Sequence, residues 1–235
     1  MSLEYFVAVP ASFALCGGLY LILWGFCGKT VEEGCSRVSL FHHAVAMCLG
    51  IWTHWSYAGS IAAEASFGQN HIYPWAVFLQ HFNIGYFLYD SIHVVVWDKK
   101  FVLHHVVALA GYGTSELANV FALANSVNTW ITELGSLMYS TYLVHKTPRA
   151  YTLFVLFYTA SRAYFAFWSV IVLCQVRDAL SLSAEAKAST SYPAWAPYCA
   201  ATLQVLLLIV NLVFLQTHWR KFLKRWSRND GAKHD

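Results

Sequence analysis

The chain has 235 residues, 58% of them hydrophobic, 17% aromatic and only 11% charged, with a formal net charge of +3. An ordinary soluble domain carries about 25% charged residues, so this composition, with a mean hydropathy of +0.47, excludes a soluble enzyme or a nucleic-acid-binding module. It points to an all-α polytopic membrane protein.

Apolar runs of spanning length recur at 5–27, 38–60, 73–97, 101–123, 127–145, 150–176 and 194–217. Each is near the ~20 residues a spanning helix needs. In lipid the backbone must satisfy its own hydrogen bonds, so the runs are expected as a bundle of about seven transmembrane helices. Short alternating segments of the kind a β-barrel needs are absent. The first run follows Glu4 with no basic residue before it, and is expected as a retained helix rather than a cleaved signal. A loop is expected at 28–37. The second run carries His42 and His43, with His43, Gly50 and His54 on one face. In the third, Tyr86, Asp90 and His93 fall at i, i+4 and i+7, again one face. After the charged hinge WDKK at 97–100 the fourth run opens on His104 and His105. Its junction with the fifth is blurred by the stretch TSELANVFALANSVN. The fifth and sixth runs bury Glu133 and Arg162. The tail HWRKFLKRWSR interleaves aromatic and basic residues, as either a membrane-surface helix or a plain basic flank would.

Charge orients the bundle. Lys29, Arg37, Lys99, Lys100, Lys146, Arg149 and the tail lie on one side, and only Arg177 and Lys187 on the other. Lys and Arg are retained in the cytosol, so the C-terminus is expected there. Asp90, His104, His105, His42 and His43 are then expected in one layer near the cytosolic surface, with Asp90 roughly 10 Å deep. Glu133 and Arg162 are expected roughly 18–20 Å deep. An isolated charge at that depth is costly, so the two are expected to pair, directly or through Tyr139 or Tyr158.

The chemistry open to such a chain is limited. Di-iron lipid hydroxylases need boxes such as H-x-x-H-H, and FHH and LHH lack the upstream His. No phosphate loop and no G-x-S-x-G elbow occurs. The six cysteines form no C-x-x-C pair, and most sit in apolar runs as small hydrophobes, so no metal or disulfide framework is expected. A proton-coupled transporter could use Asp90, Glu133 and the histidines, but repeated, broken helices are not evident. A bis-His haem protein, acting as an electron carrier, stays open. So does acyl transfer, in which His104 or His105, oriented by Asp90, acts as base toward an amine or hydroxyl.

The segments SRVSLFHHAVA (36–46), NIGYFLYDSI (83–92) and FVLHHVVALAGY (101–112), with ELGS around Glu133 and ASRAYF at 160–165, together resemble the TLC-domain family. This family includes the ceramide synthases. The resemblance divides the chain into a first helix and loop (1–35), a TLC domain (36–220) and a basic cytosolic tail (221–235). It implies a lipid-accessible cavity in an endoplasmic-reticulum protein, with His104 and His105 matching the catalytic His pair of ceramide synthases. Where that family motif continues with His-Asp, this chain reads NTWITELGS, with one carboxylate and no His. It therefore resembles the shorter TLC-domain proteins that regulate membrane lipid composition. The expected catalytic set, if there is one, is His104, His105 and Asp90, with acyl-CoA as co-substrate and no other cofactor. Tyr86, Tyr89, His93, His43 and Tyr112 are expected to line the cavity. Membrane lipids are the expected partners, with homo- or hetero-oligomers in the membrane and no nucleic acid.

Overall fold

The computed structural model describes residues 3–64, 67–97, 99–183, 186–187 and 189–231. The hinge residue Asp98 and the terminal Ala232–Asp235 lie outside them. Among the described residues the chain is helical, with no strand beyond the isolated bridge Gln69–Val120. Seven long helices correspond to the seven apolar runs. They are α1 (Leu3–Leu21, extended by a π-helical turn to Phe26), α2 (Val31–Ser56), α4 (Pro74–Trp97), α5 (Val102–Ala118), α6 (Ala122–His145), α7 (Pro148–Leu180) and α8 (Ala196–Gly231). A short α3 (Ala58–Glu64) follows α2. Among the described residues three segments are long and apolar enough by themselves to cross a membrane: Tyr5–Phe26, Pro148–Leu180 and Ala196–Trp226.

Two boundaries differ from expectation, each for a local reason. The loop expected at 28–37 is largely helix. Thr30 and Glu33 form a capping box, with Glu33 N donating to Thr30 Oγ1 at 3.2 Å and Thr30 N to Glu33 Oε2 at 3.4 Å. This reciprocal pair satisfies two otherwise orphaned donors and starts α2 at Val31, seven residues before the apolar run. The second difference is at 119–121, where Asn119 (φ 54°) and Phe121 (φ 75°) take left-handed conformations and break the chain between α5 and α6. Asn70 holds the break. Its Nδ2 donates to the Ser115 carbonyl at 3.1 Å, and its Oδ1 accepts from Ala122 N at 3.0 Å. Its backbone N–H donates to Asn119 O at 2.9 Å. One side chain thus satisfies the end of one helix and the start of the next, away from water.

The last helix also runs on. α8 continues through the basic stretch to Gly231 as one element. Trp219 Nε1 donates to Thr159 Oγ1 at 2.9 Å, and the Arg225 guanidinium lies 4.1 Å from the Tyr151 ring centre. The aromatic side of the tail therefore packs on α6 and α7.

Helices meet closely where they carry small residues, as bundles in apolar surroundings do. A β-carbon at Gly85 would fall 2.5 Å from the Val9 carbonyl oxygen, so α1 rests directly on α4, and Ser12 Oγ donates to Phe82 O at 2.7 Å beside it. A β-carbon at Gly50 would fall 2.7 Å from Trp130 Cβ, where α2 meets α6. Large side chains such as Phe6, Val7, Leu206 and Val213 face outward on α1 and α8.

Gly85→Ala is expected to cost about 1–3 kcal/mol by overpacking, read as a lower Tm in detergent. Gly18→Ala, where nothing lies within 4 Å of the added carbon, does not lower Tm and should raise it slightly, since Ala favours a helix over Gly by about 0.5–1 kcal/mol. Asn70→Leu strands buried groups on two helix ends, at about 1–3 kcal/mol for each group. It should speed amide exchange at Ala122 ahead of global unfolding.

Candidate functional site

Helices α2, α4, α5, α6, α7 and α8 enclose a cavity of about 820 Å³, within the range of small-molecule sites. It extends from Thr30 and Glu32, at the start of α2, to Phe121, Val172 and Ala200 toward the other end of the bundle. Of the residues expected around it, Asp90, His104, His105, Tyr86, His93, His43 and Tyr112 line it, and Glu133 and Arg162, expected only as a deep pair, line it as well. Tyr89 does not. It is buried against α1, its ring 6.5 Å from Phe13 and 6.3 Å from Tyr20.

Nearest the mouth, His105 Nε2 lies 3.2 Å from Asp90 Oδ2. The hairpin α4–α5 makes this contact: Asp90 is two turns back from the end of α4, and His105 is one turn into α5. Phe87 stacks edge-on against the His105 ring at 5.0 Å and fixes its plane. His104, on the next position of α5, turns toward Phe87 and Phe214. A carboxylate on one imidazole nitrogen leaves the other to act as a base.

A second polar layer lies deeper, and it is not the one expected. Because α2 begins at Val31, His43 is 12 residues in, and Glu133 is 12 residues back from the end of α6. Both are therefore about 18 Å from that end of the bundle, and His43 pairs with Glu133. His42 and His43 thus leave the shallow layer to which the sequence assigned them. The direct Glu133–Arg162 pair does not form. Arg162 Nη1 donates instead to the Thr132 carbonyl at 2.8 Å and to Ser161 Oγ at 3.0 Å. Its guanidinium lies 4.0 Å from the Tyr158 ring centre. Matching depth was correct for both charges, but depth does not say which way a side chain faces.

Several functional candidates escaped the sequence reading. Asn83, with no exposed surface, joins His42 Nε2 (3.1 Å), Tyr112 OH (3.0 Å) and Thr129 Oγ1 (3.0 Å). It falls at i, i+3 and i+7 with Tyr86 and Asp90, so extending that face backward would have found it. Glu116 accepts from Gln80 at 2.6 Å and lies 2.9 Å from His81 Nε2. Gln204 bonds Asn128 and Ser169 across α8, α6 and α7. The stripe His43–Gly50–His54 faces α6, with His54 edge-on to Trp130. A side pocket of about 50 Å³ adjoins the cavity, where Arg162, His104, Ser136, Tyr139, Asn211 and His218 meet with no carboxylate among them.

The geometry is that of a chamber with apolar outer walls and two internal polar layers. Compared with known proteins, the chain finds no significant match among curated proteins or solved structures. A family model does match. The TLC domain covers residues 35–220, most of α2 and all of α4–α7 included, so this integral membrane protein belongs to the TLC-domain family.

Proposed function

We propose that the chain is an endomembrane protein of lipid homeostasis that takes a membrane lipid into its central cavity. The observation that carries this reading is the cavity itself, at about 820 Å³ with a mouth at Thr30 and Glu32. Such a chamber suits an amphiphile: its polar layers meet a head group, and its aliphatic and aromatic wall meets a chain. In this reading all seven long helices span the bilayer of the endoplasmic reticulum. The mouth then lies on the Lys- and Arg-rich side, which is the cytosolic side, with the C-terminus there as well.

A second reading is favoured by one specific contact, Asp90–His105. In it the protein is an N-acyltransferase that uses acyl-CoA from the cytosol. His105, oriented by Asp90, takes the proton of the amine as its nitrogen forms the bond to the thioester carbonyl, and passes that proton to the CoA thiolate released when the C–S bond breaks; His104 lies beside it.

The two readings part in one experiment on purified protein in detergent and in liposomes. Gly111 lines the cavity, and a β-carbon there meets nothing within 4 Å, so Gly111→Leu should fold yet fill the space. Lipid binding is expected to appear as a defined lipid in mass spectra of the wild type, depleted severalfold in Gly111→Leu. An equal lipid load in both proteins would sink the cavity reading. The enzyme reading expects new N-acyl product from a long-chain base and acyl-CoA. That product should fall by about 10²-fold or more in His105→Ala or Asp90→Asn, with Tm held within a few degrees. A folded wild type that makes no product leaves the regulator reading in place.

A further inference from the structure

The geometry points to a transition-metal site formed by His42, His43 and Glu133 at the deep polar layer. One ring nitrogen of each histidine and a carboxylate oxygen of Glu133 lie within 4.8 Å of one another. That is the clustering expected of ligands around one divalent ion, with modest closure on binding.

The hydrogen bonds around His42 fix which nitrogen is available. Thr129 Oγ1 donates to the Asn125 carbonyl at 2.9 Å, so it can only accept from Asn83 Nδ2. Asn83 Nδ2 also donates to Tyr112 OH. The amide is therefore oriented with Oδ1 toward His42 Nε2, and Nε2 must carry the proton. The lone pair of this neutral imidazole is left on Nδ1, which is buried without a hydrogen-bond partner. His42 has no exposed surface at all, and its ring is clamped on Tyr86 with centroids 3.5 Å apart. A ligating histidine held in its tautomer by a carbonyl on the other nitrogen is the recurrent arrangement around protein-bound metals. His43 Nδ1 and Glu133 Oε2 are likewise buried; they touch, but without the direction of a hydrogen bond. The His42 Nδ1 lone pair is thus left without a partner, while His43 and Glu133 meet each other beside it. A buried lone pair of this kind is costly to leave unsatisfied.

Two imidazoles and a carboxylate suit Zn²⁺ or Fe²⁺, and not Mg²⁺ or Ca²⁺, which take oxygen ligands. His43 and Glu133 also line the cavity. The remaining coordination positions therefore face the chamber and are open to water or to a polar group of its occupant. That is the pattern of a reactive site and not of a closed structural one. The sequence hid it because two ligands are adjacent on α2 and the third lies on α6, with no cysteine among them. The inference does not depend on lipid binding or acyl transfer.

The test uses the full chain purified without chelator. Metal content by plasma mass spectrometry is expected near one Zn or Fe per chain, equal in His104→Ala/His105→Ala, whose histidines lie outside the cluster. Occupancy should fall at least about tenfold in His43→Ala and Glu133→Gln. Chelation should lower the Tm of the wild type, and added Zn²⁺ or anaerobic Fe²⁺ should restore it. Co²⁺ titration of the chelated wild type should give visible d–d bands, and this needs no variant to fold. Folded wild type with neither metal, Tm response nor cobalt bands overturns the site. So does a folded Glu133→Gln with wild-type metal content, because His43–Glu133 would then be an ion pair alone.

Discussion

Asn83 is the hydrogen-bonding centre on which the bundle's interior is organised. It sits on α4 with no exposed surface, and its amide reaches α2 through His42, α5 through Tyr112 and α6 through Thr129. In an apolar bundle an amide left unpaired is costly, so all of these contacts are made or the fold rearranges. Each contact also sets the rotation of a helix about its axis. Once α2 is turned to bring His42 onto Asn83, the next residue, His43, faces α6 and Glu133. Once α5 is turned to bring Tyr112 inward, His105 comes under Asp90 two turns below. The two polar layers of the cavity thus follow from one buried side chain.

The seven long helices were legible because apolar runs of this length persist whatever the detail of packing; among the described residues three of them are apolar enough by themselves to cross a membrane. The depth of Glu133 and Arg162 was legible for the same reason: rise per residue fixes position along the axis. Rotation about the axis is a different matter. It is set by contacts with neighbouring helices that no single segment encodes, which is why Arg162 was assigned to Glu133 and turned instead to Thr132, Ser161 and Tyr158. The placement of His43 failed for a correctable reason. The signature T-V-E-E at 30–33 is a capping box, and reading it would have moved the start of α2 and brought His43 level with Glu133.

The break between α5 and α6 was illegible in a stronger sense. Neither Gly nor Pro marks it; Asn119 tolerates the left-handed conformation it adopts, but Phe121, with a bulky side chain, holds one at a cost in energy. The compensation comes from Asn70, nearly fifty residues earlier, through bonds to both helix ends. Local propensity cannot reveal a turn whose stabilisation is supplied by a distant segment.

The outer face and the inner wall of the bundle obey opposite rules, and their contrast bears on what the cavity holds. Outward, α1 and α8 present aliphatic and aromatic side chains, which an acyl environment satisfies without direction. Inward, the wall carries groups with directional needs: the Asp90–His105 contact near the mouth, the His43–Glu133 pair below it and the Arg162 guanidinium beside a pocket without a carboxylate. An apolar chain alone would leave those groups unsolvated, and water alone would leave the Phe and Val surfaces of the same chamber exposed. The amphipathic occupant proposed above would satisfy both, its polar head meeting the inner layer and its chain lying along the apolar wall. The constraint that makes a bundle in apolar surroundings turn its polar groups inward is what gives this chamber two kinds of wall, one directional and one not.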